Sequence, residues 1–198
     1  MKSKVYERDD DTMTMERPRS GNQPGRGKSQ SEQAEMIKRA ETAGRPGPAH
    51  KALNALVGDW KAEVKCWAEP GGAPEVSQGT STVSWTFDGR FLEEDFHGEM
   101  MGRPFTGRTL LGYDNTKETF TTVWVSDTQT SMFVSEGKGD SANKVITLEG
   151  TTSCAATNRK DVPMKTVLRV LSLDKHVLEM YDGSQGNAKV MEITYTWK

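Results

Sequence analysis

This 198-residue chain has few cysteines, few histidines and no long apolar run, and each scarcity removes a class of function. Cys66 and Cys154 lie far apart and outside any C-x-x-C or zinc-ligand spacing, so they build neither a disulfide framework nor a thiolate metal site. That usage suits a reducing compartment, with a single disulfide between the two as the alternative. No window approaches the ~18 apolar residues of a spanning helix. The opening stretch "MKSKVYERDDDTMTMERPRS" has no signal-peptide core, so a soluble, cytoplasmic protein is expected. Charge of one sign is also missing: 26 Lys+Arg against 28 Asp+Glu leave a net charge of −2. Residues 1–50, with ten basic and eight acidic side chains, are as balanced as the remainder. No basic field is available to draw nucleic acid or an anionic membrane surface. Neither phosphate-loop glycine pattern occurs, and there is no G-x-S-x-G nucleophile elbow. No cofactor or metal is therefore expected.

Residues 1–30 are rich in Gly, Pro, Arg and Ser, with "SGNQPGRGKSQ" the clearest stretch. They hold too little apolar surface to offset the entropy of ordering, which predicts a disordered tail. Residues 31–46 predict a short helix and linker: "SEQAEMIKRAETAG" offers Ser31 as N-cap, good helix formers and Gly44 as a stop, then "RPGPAH" breaks the chain. With Ala34, Met36, Ile37 and Ala40 as its apolar residues, this helix could dock on a domain but would not stand alone.

Residues 47–198 form the expected folded domain, and from Trp60 onward their period is two. In "DWKAEVKCWA" Trp60, Ala62, Val64 and Cys66 share one face; in "STVSWTFDG" Val83, Trp85 and Phe87 do. Turn signals at "DGR", "GYDNTKE", "GKGDSANK", "LDKH" and "DGSQGNAK" separate further runs near 105–113, 119–126, 131–137, 144–150, 164–173, 176–182 and 188–197. About ten short antiparallel strands at this spacing predict an all-β sandwich or up-and-down barrel.

One stretch invites a catalytic reading. "FLEEDFHGEM" puts Leu92, Glu94, Phe96, Gly98 and Met100 on one strand face and Phe91, Glu93, Asp95, His97 and Glu99 on the other. A histidine sharing a face with carboxylates is the geometry of a general base oriented by an acid, or of a mixed nitrogen–oxygen metal site. The same alternation arises whenever a sheet has one dry face and one wet face, and that plainer reading is preferred. In a barrel that takes a polar ligand, the polar face could instead be the lumen.

Other candidates carry weaker signals. His50 could cap or plug a barrel end or sit in an exposed loop, and His176 in "DKHV" reads as a turn residue. Ser126 beside Asp127 in "WVSD" lacks an evident base. Trp60, Trp67, Trp85, Trp124 and Trp197, with Phe96, Phe105 and Phe120, are first of all core or wall residues. Stacked on bases, such aromatics would need a basic surface that this chain lacks.

"LVGDW", entering the first strand, resembles the G-x-W signature of lipocalins and other calycins, matched here by Gly58 and Trp60. In those proteins the tryptophan packs across the closed base of the barrel. Longer blocks, "PGPAHKALNALVGDW", "WAEPGGAPEVSQGT", "GRFLEEDFHGEMMGRPFTGRTLLGYDN", "MFVSEG", "HVLEMYD" and "MEITYTWK", are similar to those of the bacterial domain-of-unknown-function 1579 family over roughly residues 32–198. The resemblance implies a calycin-like barrel and carries over no catalytic residue. Trp197 stands where relatives tend to have an arginine, and "TSCAATNRKDVP" replaces a short Asp-Pro turn.

The leading expectation is a barrel that binds a small, largely apolar molecule without chemistry. Trp85, Phe87, Phe96, Met100, Trp124, Met191 and Tyr195 are the lumen candidates by parity and bulk, each alternatively plain core. A hydrolase or isomerase built on His97 with Glu93, Asp95 or Glu99 is the alternative. A haem barrel, as in some calycins, is the third, with His176 the one histidine late enough to ligate. Homo-oligomerisation through a barrel face is compatible with all three.

Overall fold

Ser29 caps the first helix, α1 (Gln30–Ala43), through a reciprocal box: its Oγ accepts the Glu32 N–H at 3.3 Å, and Glu32 Oε2 accepts the Ser29 N–H at 2.7 Å. The cap thus falls two residues before Ser31, because Ser29-x-x-Glu32 offers both halves of the box. None of the α1 side chains is buried. The computed structural model describes residues 29–100, 102–154 and 158–198, so the predicted disordered tail lies almost wholly outside the described residues. Residues Lys38–Lys198 form one compact unit.

That unit is a closed antiparallel barrel in which every strand pairs with its neighbours in sequence and the last pairs with the first. The strands are β1 (Gly58–Cys66), β2 (Glu75–Thr86), β3 (Phe91–Met100), β4 (Arg103–Asp114), β5 (Thr119–Ser126), β6 (Phe133–Gly139), β7 (Val145–Cys154), β8 (Arg159–Ser172), β9 (Lys175–Asp182) and β10 (Ala188–Trp197). The ten strands and the up-and-down order are those the period-two pattern predicts. Closure leaves no unpaired edge. The β1–β10 seam runs from Trp60 opposite Trp197 to Cys66 opposite Met191.

Alternation sets the core. On β1, Trp60, Ala62 and Val64 are buried while Asp59 and Lys61 are exposed. β2 and β8 begin earlier than their apolar pattern does. "EVSQGT" has no dry face to signal a strand and "RKDVP" buries only Val162, yet they pair with β1 and β7 respectively. Cys66 and Cys154 form no disulfide. Among the described residues no helix is long and apolar enough to cross a membrane.

One end of the barrel is plugged by the segment leading into β1. A short helix, α2 (Pro48–Ala52), and a 3-10 turn (Leu53–Leu56) bury Ala49, His50, Leu53 and Leu56. His50, left open between plug and loop by sequence, belongs to the plug. Its Nδ1 accepts the Gly47 N–H at 3.1 Å, and its ring stands edge-on to Tyr113. Burial holds its imidazole below the ordinary histidine pKa.

Candidate functional site

Trp60 is fully buried above the plug and donates its indole N–H to the Leu56 carbonyl at 2.9 Å. Its ring meets Trp197 edge-on at 5.1 Å and His176 edge-on at 4.4 Å. Gly58 has a φ of +140°, and a Cβ there would lie 2.4 Å from the Trp197 ring. The glycine and tryptophan of "GDW" thus have separate physical causes: Gly58 lets Trp197 lie across the strand, and Trp60 ties plug to barrel. Trp197 supplies the packing partner at the position where an arginine was expected from the resemblance.

Above this floor the barrel encloses a cavity of about 330 Å³ whose described lining is mostly apolar. Phe96, Phe105, Trp124, Phe133, Leu148 and Met191 supply much of the wall. Trp124 leans over Gly107 of the next strand, where a Cβ would come within 2.0 Å of its ring. Of the lumen candidates, Phe96, Met100, Trp124, Met191 and Tyr195 line this cavity. Trp85 and Phe87 do not. The indole N–H of Trp85 donates to Asn54 Oδ1 of the plug at 2.8 Å. Strand β2 ends at Thr86, and Phe87 adopts a left-handed φ of 49° in the following turn. That breaks the parity count and leaves Phe87 70% exposed on the outside, edge-on to Phe91.

The cavity also contains a polar cluster. Glu94, on the same face as Leu92 and Phe96, points inward. Its Oε1 accepts from Ser81 Oγ at 2.7 Å and from Tyr195 Oη at 3.2 Å, and its Oε2 accepts from Thr109 Oγ1 at 2.9 Å. Four strands, β2, β3, β4 and β10, therefore meet at one carboxylate. Burial and the nearby Glu94 charge push the Tyr195 phenol well above the ordinary tyrosine pKa, so it remains a donor. The Tyr195 ring stacks on His176 at 4.3 Å.

His176 is the second residue of β9, buried and facing the cavity, and not a turn residue. Burial lowers its pKa to about 4, so it is neutral at pH 7. Its Nδ1 and the Thr166 Oγ1, both from residues that line the cavity, are buried without a hydrogen-bond partner.

The opposite face of β3 looks outward. His97 is exposed, and Asp95 and Glu93 are engaged by Arg108 of β4, with 2.8 Å from Nη2 to Asp95 and 3.2 Å from Nε to Glu93. A shallow open groove runs beside them between β3, β4 and β5. Among the described residues no three His, Cys, Asp or Glu side chains converge as a metal site. Asp127 accepts from the Thr106 N–H and hydroxyl, and Ser126 shares a hydrogen bond with Thr128. Ser126 and Asp127 are thus occupied where β5 ends, in contacts with β4 and the β5–β6 connection.

The barrel has counterparts among solved structures. The crystal structure of Rv2717c from M. tuberculosis is 16% identical, with a TM-score of 0.58, over 78% of this chain and 99% of that one. A redesigned beta barrel is 11% identical over 74% of this chain and 95% of that one, with a TM-score of 0.41. EF1p2_mFAP2b bound to DFHBI is 10% identical over 76% and 99%, with a TM-score of 0.42. At such identity the first likeness concerns the fold alone. No curated protein matches the chain. The model of the family described as "Protein of unknown function (DUF1579)" matches residues 45–197, which takes in the plug and nearly all of the barrel, and the chain belongs to that family.

Proposed function

We propose that the barrel binds a small, largely apolar molecule in its lumen and does not transform it. The observation that carries this reading is the cavity of about 330 Å³ above the Trp60 floor, walled mainly by aromatic and aliphatic side chains. A filled core would leave no such space, since interiors pack to crystal density. The plug, Gly58 and Trp60 support a calycin-like arrangement, in which one barrel end is closed. Phe96, Met100, Trp124, Met191 and Tyr195 are the residues proposed to touch the guest.

A fluorescence titration with N-phenyl-1-naphthylamine, a neutral apolar dye, tests this. One-to-one saturable binding that weakens in Met191→Trp, where the larger ring narrows the lumen, is the expected outcome. Absence of saturable binding, or binding that Met191→Trp leaves unchanged, contradicts it.

The inward position of His176 favours a second reading, a haem held through its imidazole. The cavity lies at the small end of the roughly 300–1,000 Å³ typical of ligand sites, which favours a smaller guest. Haem added to the protein should then give no Soret shift dependent on His176; such a shift would reverse the ranking.

A further inference from the structure

We propose that the guest carries a cationic nitrogen, so that the lumen selects a small lipophilic amine whose ammonium rests on Glu94. This deepens the reading of the lumen as a binding cavity and rests on it.

Glu94 is the one Asp, Glu, Lys or Arg among the described residues lining the cavity. Its three partners, Ser81, Thr109 and Tyr195, are neutral hydroxyls, and no Lys, Arg or His among the described residues forms an ion pair with it. A carboxylate in largely apolar surroundings is costly without an opposite charge. Hydroxyl donors reduce that cost but do not neutralise it. An ionised carboxylate has about four acceptor sites. Oε1 receives two donors and Oε2 one, so an acceptor site remains on Oε2.

Two other residues that line the cavity each hold a buried polar atom able to accept a hydrogen bond. His176 Nδ1 and Thr166 Oγ1 are each buried without a partner, in residues 4% and 6% exposed. An alkylammonium brings three donors and no acceptor, whereas a carboxylate head would set like charge against Glu94. An alcohol can donate one hydrogen bond but leaves the charge unbalanced. The order of preference that follows is amine, then alcohol, then carboxylate. Phe96, Phe105 and Trp124 offer the wall for the apolar body.

Calorimetric titration of the protein at pH 7 with octylamine, 1-octanol and octanoate separates these heads on one chain length. Octylamine is expected to bind about tenfold or more tighter than 1-octanol, as charge-assisted hydrogen bonds warrant, with octanoate weakest. In Glu94→Gln, an isosteric change, the amine advantage is expected to vanish while 1-octanol still binds. Octanoate binding as well as octylamine overturns the proposal, as does an amine advantage that survives Glu94→Gln. Binding of 1-octanol with no preference for the amine overturns the cationic head alone and leaves the lumen reading intact. Failure of all three probes and of the neutral dye overturns both. Should Glu94→Gln not fold, as judged by its thermal melt, the wild-type order of the three probes decides.

Discussion

Inside the barrel Tyr195 donates its phenol proton to Glu94 Oε1 at 3.2 Å, joining residues 101 apart in sequence across the lumen. The same tyrosine ring stacks on His176, whose edge meets Trp60 above the plug. One continuous set of contacts thus links the polar centre of the cavity to its floor.

Removing the phenol tests that link. Tyr195→Phe keeps the ring stack and deletes one of the three donors to Glu94. A loss of about 1 kcal/mol is expected, the net worth of one hydrogen bond to a half-buried carboxylate, measured as a lower urea midpoint at unchanged slope. No change in midpoint would mean that water already serves Glu94.

The buried imidazole of His176 sets a pH dependence. Its pKa falls from the ordinary histidine 6.5 to about 4 because burial disfavours the charged form. The unfolded chain therefore binds the proton first. Stability from this group is fully present above pH 6.5 and is lost as the pH falls from 6.5 toward 4, by about 3 kcal/mol across that window. His50, lowered in the same direction, adds to the loss. Asp182 is held well below the usual carboxylate range, chiefly by Arg159, and contributes only at lower pH. Urea midpoints between pH 7 and 4 should show a steeper fall in the wild type than in His176→Phe. Parallel curves would contradict the assignment.

At the barrel base, Gly58 and Trp197 are coupled. Gly58→Ala forces a methyl against the Trp197 ring and places an alanine at φ +140°. A cost above ~2 kcal/mol is expected, since the backbone strain alone is of order 1–3 kcal/mol. In the Trp197→Ala background the steric part disappears and the strain remains, so the second Gly58→Ala step costs less. A double-mutant cycle by urea unfolding reads this directly, and additivity would show that the two do not interact.

Phe96 distinguishes a wall from a plain core. It is 2% exposed and touches Phe105 and Trp124, yet one side faces the cavity. Phe96→Ala should therefore cost less than the ~3–5 kcal/mol of a fully packed phenylalanine, while dye affinity falls. The full stability loss with unchanged dye binding would return Phe96 to the core and remove it from the site.

His97 serves as the control for the enzyme alternative. Exposed on the outer face beside the Arg108 pairs, it is expected to tolerate alanine with no change in urea midpoint or dye affinity. Loss of a hydrolytic or isomerase turnover specific to His97→Ala would restore the catalytic reading.

Much of the architecture was legible in the sequence because a closed sheet with a dry interior writes its period into every strand. Trp60, Ala62 and Val64 alternate with charged residues, and the turn residues mark the hairpins. The polar centre was not legible. Parity puts Glu94 with Leu92 and Phe96, but its partners Ser81, Thr109 and Tyr195 come from three other strands, and their meeting depends on barrel closure and stagger. His176 follows a turn signal so closely that its strand character shows only in its pairing with Val170 on one side and Tyr195 on the other. Phe87 failed for the opposite reason, since alternation was carried one residue past the end of β2, where a left-handed turn takes over.

The most direct test of an open lumen is a crystal of the protein pressurised with xenon, which enters dry apolar cavities and is excluded from packed cores. Xenon density inside the barrel, against Phe96, Trp124 or Leu148, is the expected result. A lumen without a xenon site and filled by its own side chains would contradict the binding function.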